Sequence, residues 1–226
     1  MIVMLGDTRH AEMLETIRAR HWGRMCCASL PRPYPGEPWG YDNGAFTAWR
    51  KGVRWDSDAY LRRVERVTAT GRTPMLAVVP DLPAQGQRSL DFSVAWLPRL
   101  PETWPRYLAV QDGMTPQAVL DVLDLGFAGL FLGGTDRFKL EAAEWCALAH
   151  GNDRFFHYAR AGTRAKVEHA QRVGADSMDS SFPLWTRRRF AEFAQWIEGT
   201  HPQQPLAGLP PKVREPAERA ERGERT

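Results

Sequence analysis

Short apolar runs alternate with longer amphipathic stretches from the first residue to about residue 198, at fairly even intervals. The runs are IVML (2–5), RMCCASL (24–30), MLAVVP (75–80), YLAV (107–110), GLFLGG (129–134), RFFHY (154–158) and ADSM (175–178). Most are rich in β-formers and flanked by turn residues, as strands buried on both faces of a parallel sheet should be. Between them, apolar residues recur at helical spacing. In DAYLRRVERVTAT, Tyr60, Leu61, Val64 and Val67 share one face, and DRFKLEAAEWCALAH and TRAKVEHAQRV read the same way. This repeated strand-helix alternation predicts an α/β fold, a (β/α)8-type TIM barrel rather than an open sheet. The eighth strand has no run of its own. The stretch after the second run is too long for an ordinary connection, which places the missing strand near GYDNGAF.

A chain of 226 residues with 43% apolar content can bury a sizeable core and fits one domain, expected over residues 1–200. From residue 201 to 226 the composition is rich in proline and charge and has no aromatic residue, so this segment is expected to be a flexible tail. Lysine plus arginine exceed aspartate plus glutamate by 30 to 27, a net charge of +3 that permits an anionic partner without requiring one. Cys26, Cys27 and Cys146 form neither a disulfide framework nor a zinc-ligand spacing, which points to a reducing, cytoplasmic setting. The opening MIVMLGDTRH is too short an apolar run for a signal peptide, and no stretch approaches the roughly 18–20 apolar residues of a membrane span.

In a parallel barrel the C-terminal strand ends carry the site, because the loops that follow them converge on one face. Here Asp7, Asp42 with Asn43, Asp81, Gln111 with Asp112, and Asp179 follow their runs, while Gly133 with Gly134 ends GLFLGG and His157 closes RFFHY. Asp7, Asp112 and Asp136 stand at helix starts and read more simply as N-caps. Asp176 fits a satisfied strand or loop residue, and His157 a packed core or rim histidine rather than a base. Asp42, Asp81 and Asp179 are not so easily explained away. The cysteine pair reads as strand filler; Tyr41, Phe46 and Trp49 read as structural in part, with one of them offering a face on which a planar ligand could stack.

These motifs resemble, in order, those of the tRNA-guanine transglycosylase superfamily over about residues 40–185. YDNGAF resembles its Asp-Ser-Gly-Gly-Phe motif, VVPD the strand ending in its base-reading aspartate, and AVQDGM its Val-Gln-Gly-Gly motif. GLFLGG stands where the family's backbone meets the base, and HYARAGTRAKVEHAQRVGADSMDSSFP is similar to the stretch that ends in its nucleophile motif. The resemblance implies that Asp179 is the catalytic nucleophile toward C1′ and that Asp42 is the acid/base group. It further implies that Asp81 reads the purine N1–H and 2-amino group, with Gln111, Gly133 and Gly134 at O6 and with Asn43 and Phe46 lining the base site.

The family's RNA enzymes carry a zinc site of three cysteines and a histidine, and this chain has no cysteine after Cys146. The resemblance therefore implies no zinc and no other cofactor. It points to the DNA-acting branch found in phages and bacteria, which exchanges guanine in DNA for a 7-deazaguanine such as 7-cyano-7-deazaguanine. The implied partners are DNA and the free 7-deazaguanine base, with the target guanine flipped from the stack and the need for a duplex-opening protein left open. Arg160, Arg164, Lys166, Arg187, Arg188 and Arg189 are the candidate nucleic-acid contacts. Three alternatives stay open: the same chemistry on RNA, a catalytically idle barrel that binds nucleic acid or a purine, and a metal-dependent hydrolase using the aspartates with His157.

Overall fold

The computed structural model describes residues 1–8, 10–27 and 36–199. The expected tail beyond residue 200 lies outside the described residues. Eight parallel strands pair in sequence order and close into a TIM barrel. They are β1 (Ile2–Gly6), β2 (Gly23–Cys26), β3 (Trp39–Tyr41), β4 (Leu76–Val78), β5 (Arg106–Val110), β6 (Gly129–Leu132), β7 (Phe155–Tyr158) and β8 (Ser177–Ser180). The missing strand is β3, directly before the DNGAF segment, as the long connection predicted. The second run is shorter as a strand than expected, ending at Cys26, and residues 28–30 of it lie outside the described residues.

The helices among the described residues are α1 (Ala11–Ala19), α2 (Ala45–Arg50), α3 (Ser57–Thr68), α4 (Gln87–Trp96), α5 (Pro116–Leu123), α6 (Ala142–Gly151), α7 (Arg164–Arg172) and α8 (Arg187–Glu198). Asp56, Thr115, Thr163 and Thr186 cap α3, α5, α7 and α8 through their side-chain oxygens. In α3 the apolar stripe works as its spacing predicts: Tyr60, Val64 and Val67 are buried, and Leu61 packs partly against them.

The two-residue period of each strand sorts side chains into two cores. Met4, Met25, Leu76, Val78, Tyr107 and Ala109 fill the barrel interior with Phe131 and Phe155. Val3, Leu5, Ala77, Leu108, Val110, Phe156 and Met178 face outward into the helix layer. Each large side chain fully buried in this way stabilises by about 1.5–3 kcal/mol. Closure comes from β8 against β1, where Met4 lies opposite Asp179. Asp179 is thus an inward-facing residue near the C-terminal end of its strand.

Glycine supplies room inside the barrel at two places. A Cβ at Gly129 would lie 2.6 Å from both the Phe155 carbonyl oxygen and the Tyr107 ring. One at Gly40 would meet only the Met25 thioether, at 2.8 Å, and the Leu76 side chain, at 3.2 Å. Backbone and a packed ring cannot yield, whereas a methionine end can. Gly129→Ala is therefore expected to lower stability by about 1–3 kcal/mol and Gly40→Ala by clearly less, read as the shift in urea midpoint.

Candidate active site

Asp179 is placed by both strands that flank it in the last quarter of the barrel. Its Oδ1 accepts two hydrogen bonds, one from His157 Nε2 at 3.0 Å and one from the Arg160 amide at 3.0 Å. A carboxylate only accepts, so the His157 hydrogen sits on Nε2, and Nδ1 faces Ser177 Oγ at 2.8 Å. His157 has no exposed surface and stacks flat on Phe131, with ring centroids 4.8 Å apart. Burial alone would raise the Asp179 pKa. The His157 hydrogen bond and charge, the Arg160 amide and the charge of Lys139 outweigh it and hold the carboxyl below its ordinary value. Its Oδ2 has no hydrogen-bond donor among the described residues.

Arg160 supplies that amide from a left-handed backbone conformation, φ +55°. This is a strained position for a residue with a Cβ, and such strain concentrates where a site requires it. Its guanidinium donates to the Gly134 carbonyl and lies 4.3 Å from the Phe46 ring centre. Arg160 is therefore part of the site wall as well as a cation near its mouth.

Opposite stands the β3 exit. Asp42 Oδ1 accepts from the Gly44 amide at 2.8 Å, and Asn43 Oδ1 accepts from the Ala45 amide at 2.7 Å, two successive Asx turns that swing the chain into α2. Gly44, with φ +79°, completes the corner. Burial pushes the Asp42 carboxyl up to about 6; the Gly44 amide and Arg160 oppose this, and the nearby charge of Asp179 adds to it. Asp81, after β4, is likewise raised to about 6 by burial, with the Asn43 hydrogen bond opposing and the charge of Asp42 adding. Asn43 Nδ2 ties the two loops together, donating to Asp81 Oδ1 at 2.8 Å and to the Val79 carbonyl at 2.9 Å.

Gln111 is buried and braces this wall. Its Nε2 donates to Ser89 Oγ at 2.6 Å and to the Leu82 carbonyl at 3.2 Å, with a longer 3.5 Å contact to Asp81, and its Oε1 accepts from the Ala84 amide. The Gly133 amide donates to the Val110 carbonyl at 2.9 Å. Gly134 has φ +70°, and a Cβ there would meet Phe138 at 2.6 Å and Asp112 at 2.7 Å. Gln111, Gly133 and Gly134 thus shape the site wall, with Gln111 oriented toward Asp81.

Among the residues expected as caps, Asp7 instead pairs with the buried Arg24 at 3.1 Å. Asp112 accepts from Thr135 through its backbone and hydroxyl, and Asp136 accepts from Lys166 at 2.7 Å. Asp176 is satisfied as expected, accepting from the Phe156 amide at 2.7 Å and contacting His150 at 3.0 Å; it lies at the opposite end of β8 from Asp179. His157 is a packed core histidine, as expected, and also the direct partner of Asp179.

Of the expected nucleic-acid contacts, Arg164 pairs with Glu168, Lys166 with Asp136, Arg187 with Glu12 and Arg188 with Glu192. Arg189 lies 4.6 Å from the Trp185 ring centre and 5.0 Å from that of Phe182. Lys139 was not anticipated from the sequence. It is 2% exposed, donates to the Ala159 carbonyl and sits 4.8 Å from the Tyr158 ring centre. Burial and the charge of Arg160 bring its pKa down to about 7, against the pull of Asp179. Outside the barrel, a cleft of about 440 Å3 is lined by Lys139, Tyr158, Lys166 and His169. Among the described residues no three His, Cys, Asp or Glu side chains gather as a metal site, and no helix is long and apolar enough to cross a membrane.

The arrangement separates one stabilised anion from two destabilised ones. Asp42 is neutral in both folded and unfolded chains below its unfolded value of 3.8 and charged in both above about 6. Its burial therefore costs stability that appears as pH rises through that window. Asp42→Asn, which keeps an acceptor for Gly44, is expected to stabilise the protein by about 1–3 kcal/mol at pH 8 and by almost nothing near pH 4, measured by urea unfolding at the two pH values.

Comparison with models of known protein families finds no match, and no curated protein matches the chain in sequence. The functional reading therefore rests on the carboxylates and the groups that hold them.

Proposed function

We propose that this barrel is a base-exchange transglycosylase, which replaces guanine in DNA by a 7-deazaguanine through a covalent Asp179-deoxyribosyl intermediate. The observation that carries this reading is the opposite treatment of the carboxyls. Asp179 is held ionised by donors on one oxygen, which leaves the other for attack, while Asp42 is raised to about 6 within reach of its charge. Paired carboxyl groups with divergent affinities for a proton are the minimum equipment for nucleophilic glycosyl transfer.

In the first step Asp179 Oδ2 bonds to C1′ as the bond from C1′ to the purine N9 breaks, and the electron pair leaves with the base. Protonated Asp42 gives its proton to the departing purine. The guanine diffuses away, leaving a glycosyl ester on Asp179. In the second step Asp42, now a carboxylate, takes the ring N–H proton of the incoming base. That nitrogen attacks C1′, and the bond to Asp179 breaks with its electrons returning to the carboxylate. Asp81, anchored by Asn43, presents acceptors to the adjacent N1–H and 2-amino donors of a guanine-like ring. The Arg160 guanidinium, laid over the Phe46 ring, gives the planar base a flat cationic surface to stack on.

The test is incubation of the protein with guanine-containing DNA, or with RNA of the same sequence, and a radiolabelled 7-deazaguanine. Label is expected in DNA, to be lost with Asp179→Ala and reduced about 10²–10⁴-fold with Asp42→Asn. First-step rates should fall as pH rises above about 6, where Asp42 loses its proton, and Asp42→Asn should remove that dependence. Label only in RNA would move the acceptor; label in neither would overturn the proposal.

A further inference from the structure

Among the described residues, Trp49 and Trp185 are the tryptophans that stand open to solvent, at 52% and 65% exposure. Both lie on elements that leave the C-terminal ends of barrel strands, β3 for Trp49 and β8 for Trp185. Trp49 is on α2, the helix that follows Asp42 and Asn43, with its ring 5.7 Å from that of Phe46, which Arg160 covers. Trp185 closes the turn after β8, six residues beyond Asp179, with its ring 6.2 Å from Phe182. Trp49 is thus joined through Phe46 to Arg160, whose amide donates to Asp179, whereas Trp185 follows Asp179 along the chain that leaves β8 and shares Phe182 with Trp196 of α8.

Each also has an arginine with no carboxylate partner among the described residues. Arg50, exposed and next to Trp49, lies close enough to Arg160 for its charge to depress the Arg160 pKa. Arg189 lies against the Trp185 ring. Ion pairs hold the neighbouring Arg187 and Arg188 instead. An exposed indole has a large desolvation gain to offer a flat partner, and an unpaired guanidinium beside it selects an anionic one.

Resting on the transglycosylase reading of the site, we propose that the mouth binds an unpaired nucleic-acid strand. Trp49 and Trp185 stack bases on either side of the nucleotide whose sugar meets Asp179, and Arg50 and Arg189 contact the phosphates between them. Stacking platforms with interleaved cations are how proteins grip single strands, because every base presents a π-face and every linkage a charge. A paired duplex offers neither platform a free base face. The acceptor is therefore opened before it binds, and the enzyme does not have to extrude a base from an intact helix.

The test measures fluorescence anisotropy of a labelled oligonucleotide of about fifteen nucleotides, as single-stranded DNA, single-stranded RNA and duplex DNA. The proteins are wild type, Trp49→Ala, Trp185→Ala and the corresponding Phe variants. Both side chains are exposed, so all should melt like wild type. Single strands should bind more tightly than duplex, each Ala variant should lose roughly fivefold to hundredfold, and Phe should recover most of it. Equal or tighter duplex binding, or unchanged binding by the Ala variants, would overturn the proposal. So would displacement by a soluble oligosaccharide but not by unlabelled strand, which would make the platforms sugar-binding. Strand binding that needs both indoles, without base exchange, would remove the transglycosylase reading and leave this surface standing. Exchange on duplex DNA that survives both Ala variants would do the reverse.

Discussion

A carboxylate withdrawn from water loses several kcal/mol of hydration, and only donors or opposite charges in the protein can replace it. This barrel withdraws three at one rim and compensates them unequally. Asp179 receives a histidine N–H and a backbone amide on the same oxygen, with Lys139 behind. Asp42 receives one amide, Asp81 a side-chain amide and a long contact from Gln111, and both are pushed toward the neutral acid. The pairing of β7 with β8 sets that inequality. His157 lies opposite Ser177 in the β7–β8 pairing, so the imidazole spans from one strand to the two inward residues of the next.

The loops are built around the same inequality. Arg160 takes a left-handed backbone so that its amide points at Asp179, a conformation that costs about 1–3 kcal/mol for a residue with a side chain. The same residue reaches Gly134 and covers Phe46, tying the exits of β6, β7 and β3 into one wall. Across the mouth, Asn43 and Gln111 lock the β3, β4 and β5 exits around Asp81. Stability given up at the carboxyls is spread over a rigid frame, as preorganised sites require.

Much of this was legible in the chain because barrel strands announce themselves as short apolar runs and because strand ends point at one face. That logic located Asp42, Asp81 and Asp179, and it placed β3 beside GYDNGAF although Trp39–Tyr41 is too short to make a run. It misjudged Asp7, Asp112 and Asp136, since an acid before a helix looks like a cap whether it bonds that helix or reaches another element. The double role of His157 was hidden because periodicity shows which face a residue takes and not what lies across the next strand. Lys139 did leave a trace: with Ala142, Cys146 and Ala149 it lies on one buried stripe, a lysine where the helix wants an apolar residue. The left-handed turn at Arg160 left none, because no glycine or asparagine marks it.

If Asp179 attacks the sugar, a covalent adduct forms between this carboxylate and the acceptor strand. The protein would be mixed with a guanine-containing oligonucleotide, without incoming base, and examined by intact mass and peptide mapping. The expected mass gain equals the oligonucleotide less one guanine, carried by the peptide that contains Asp179 and lost in Asp179→Asn. No adduct with DNA or RNA strands, or an adduct that persists in Asp179→Asn, would rule out Asp179 as the nucleophile.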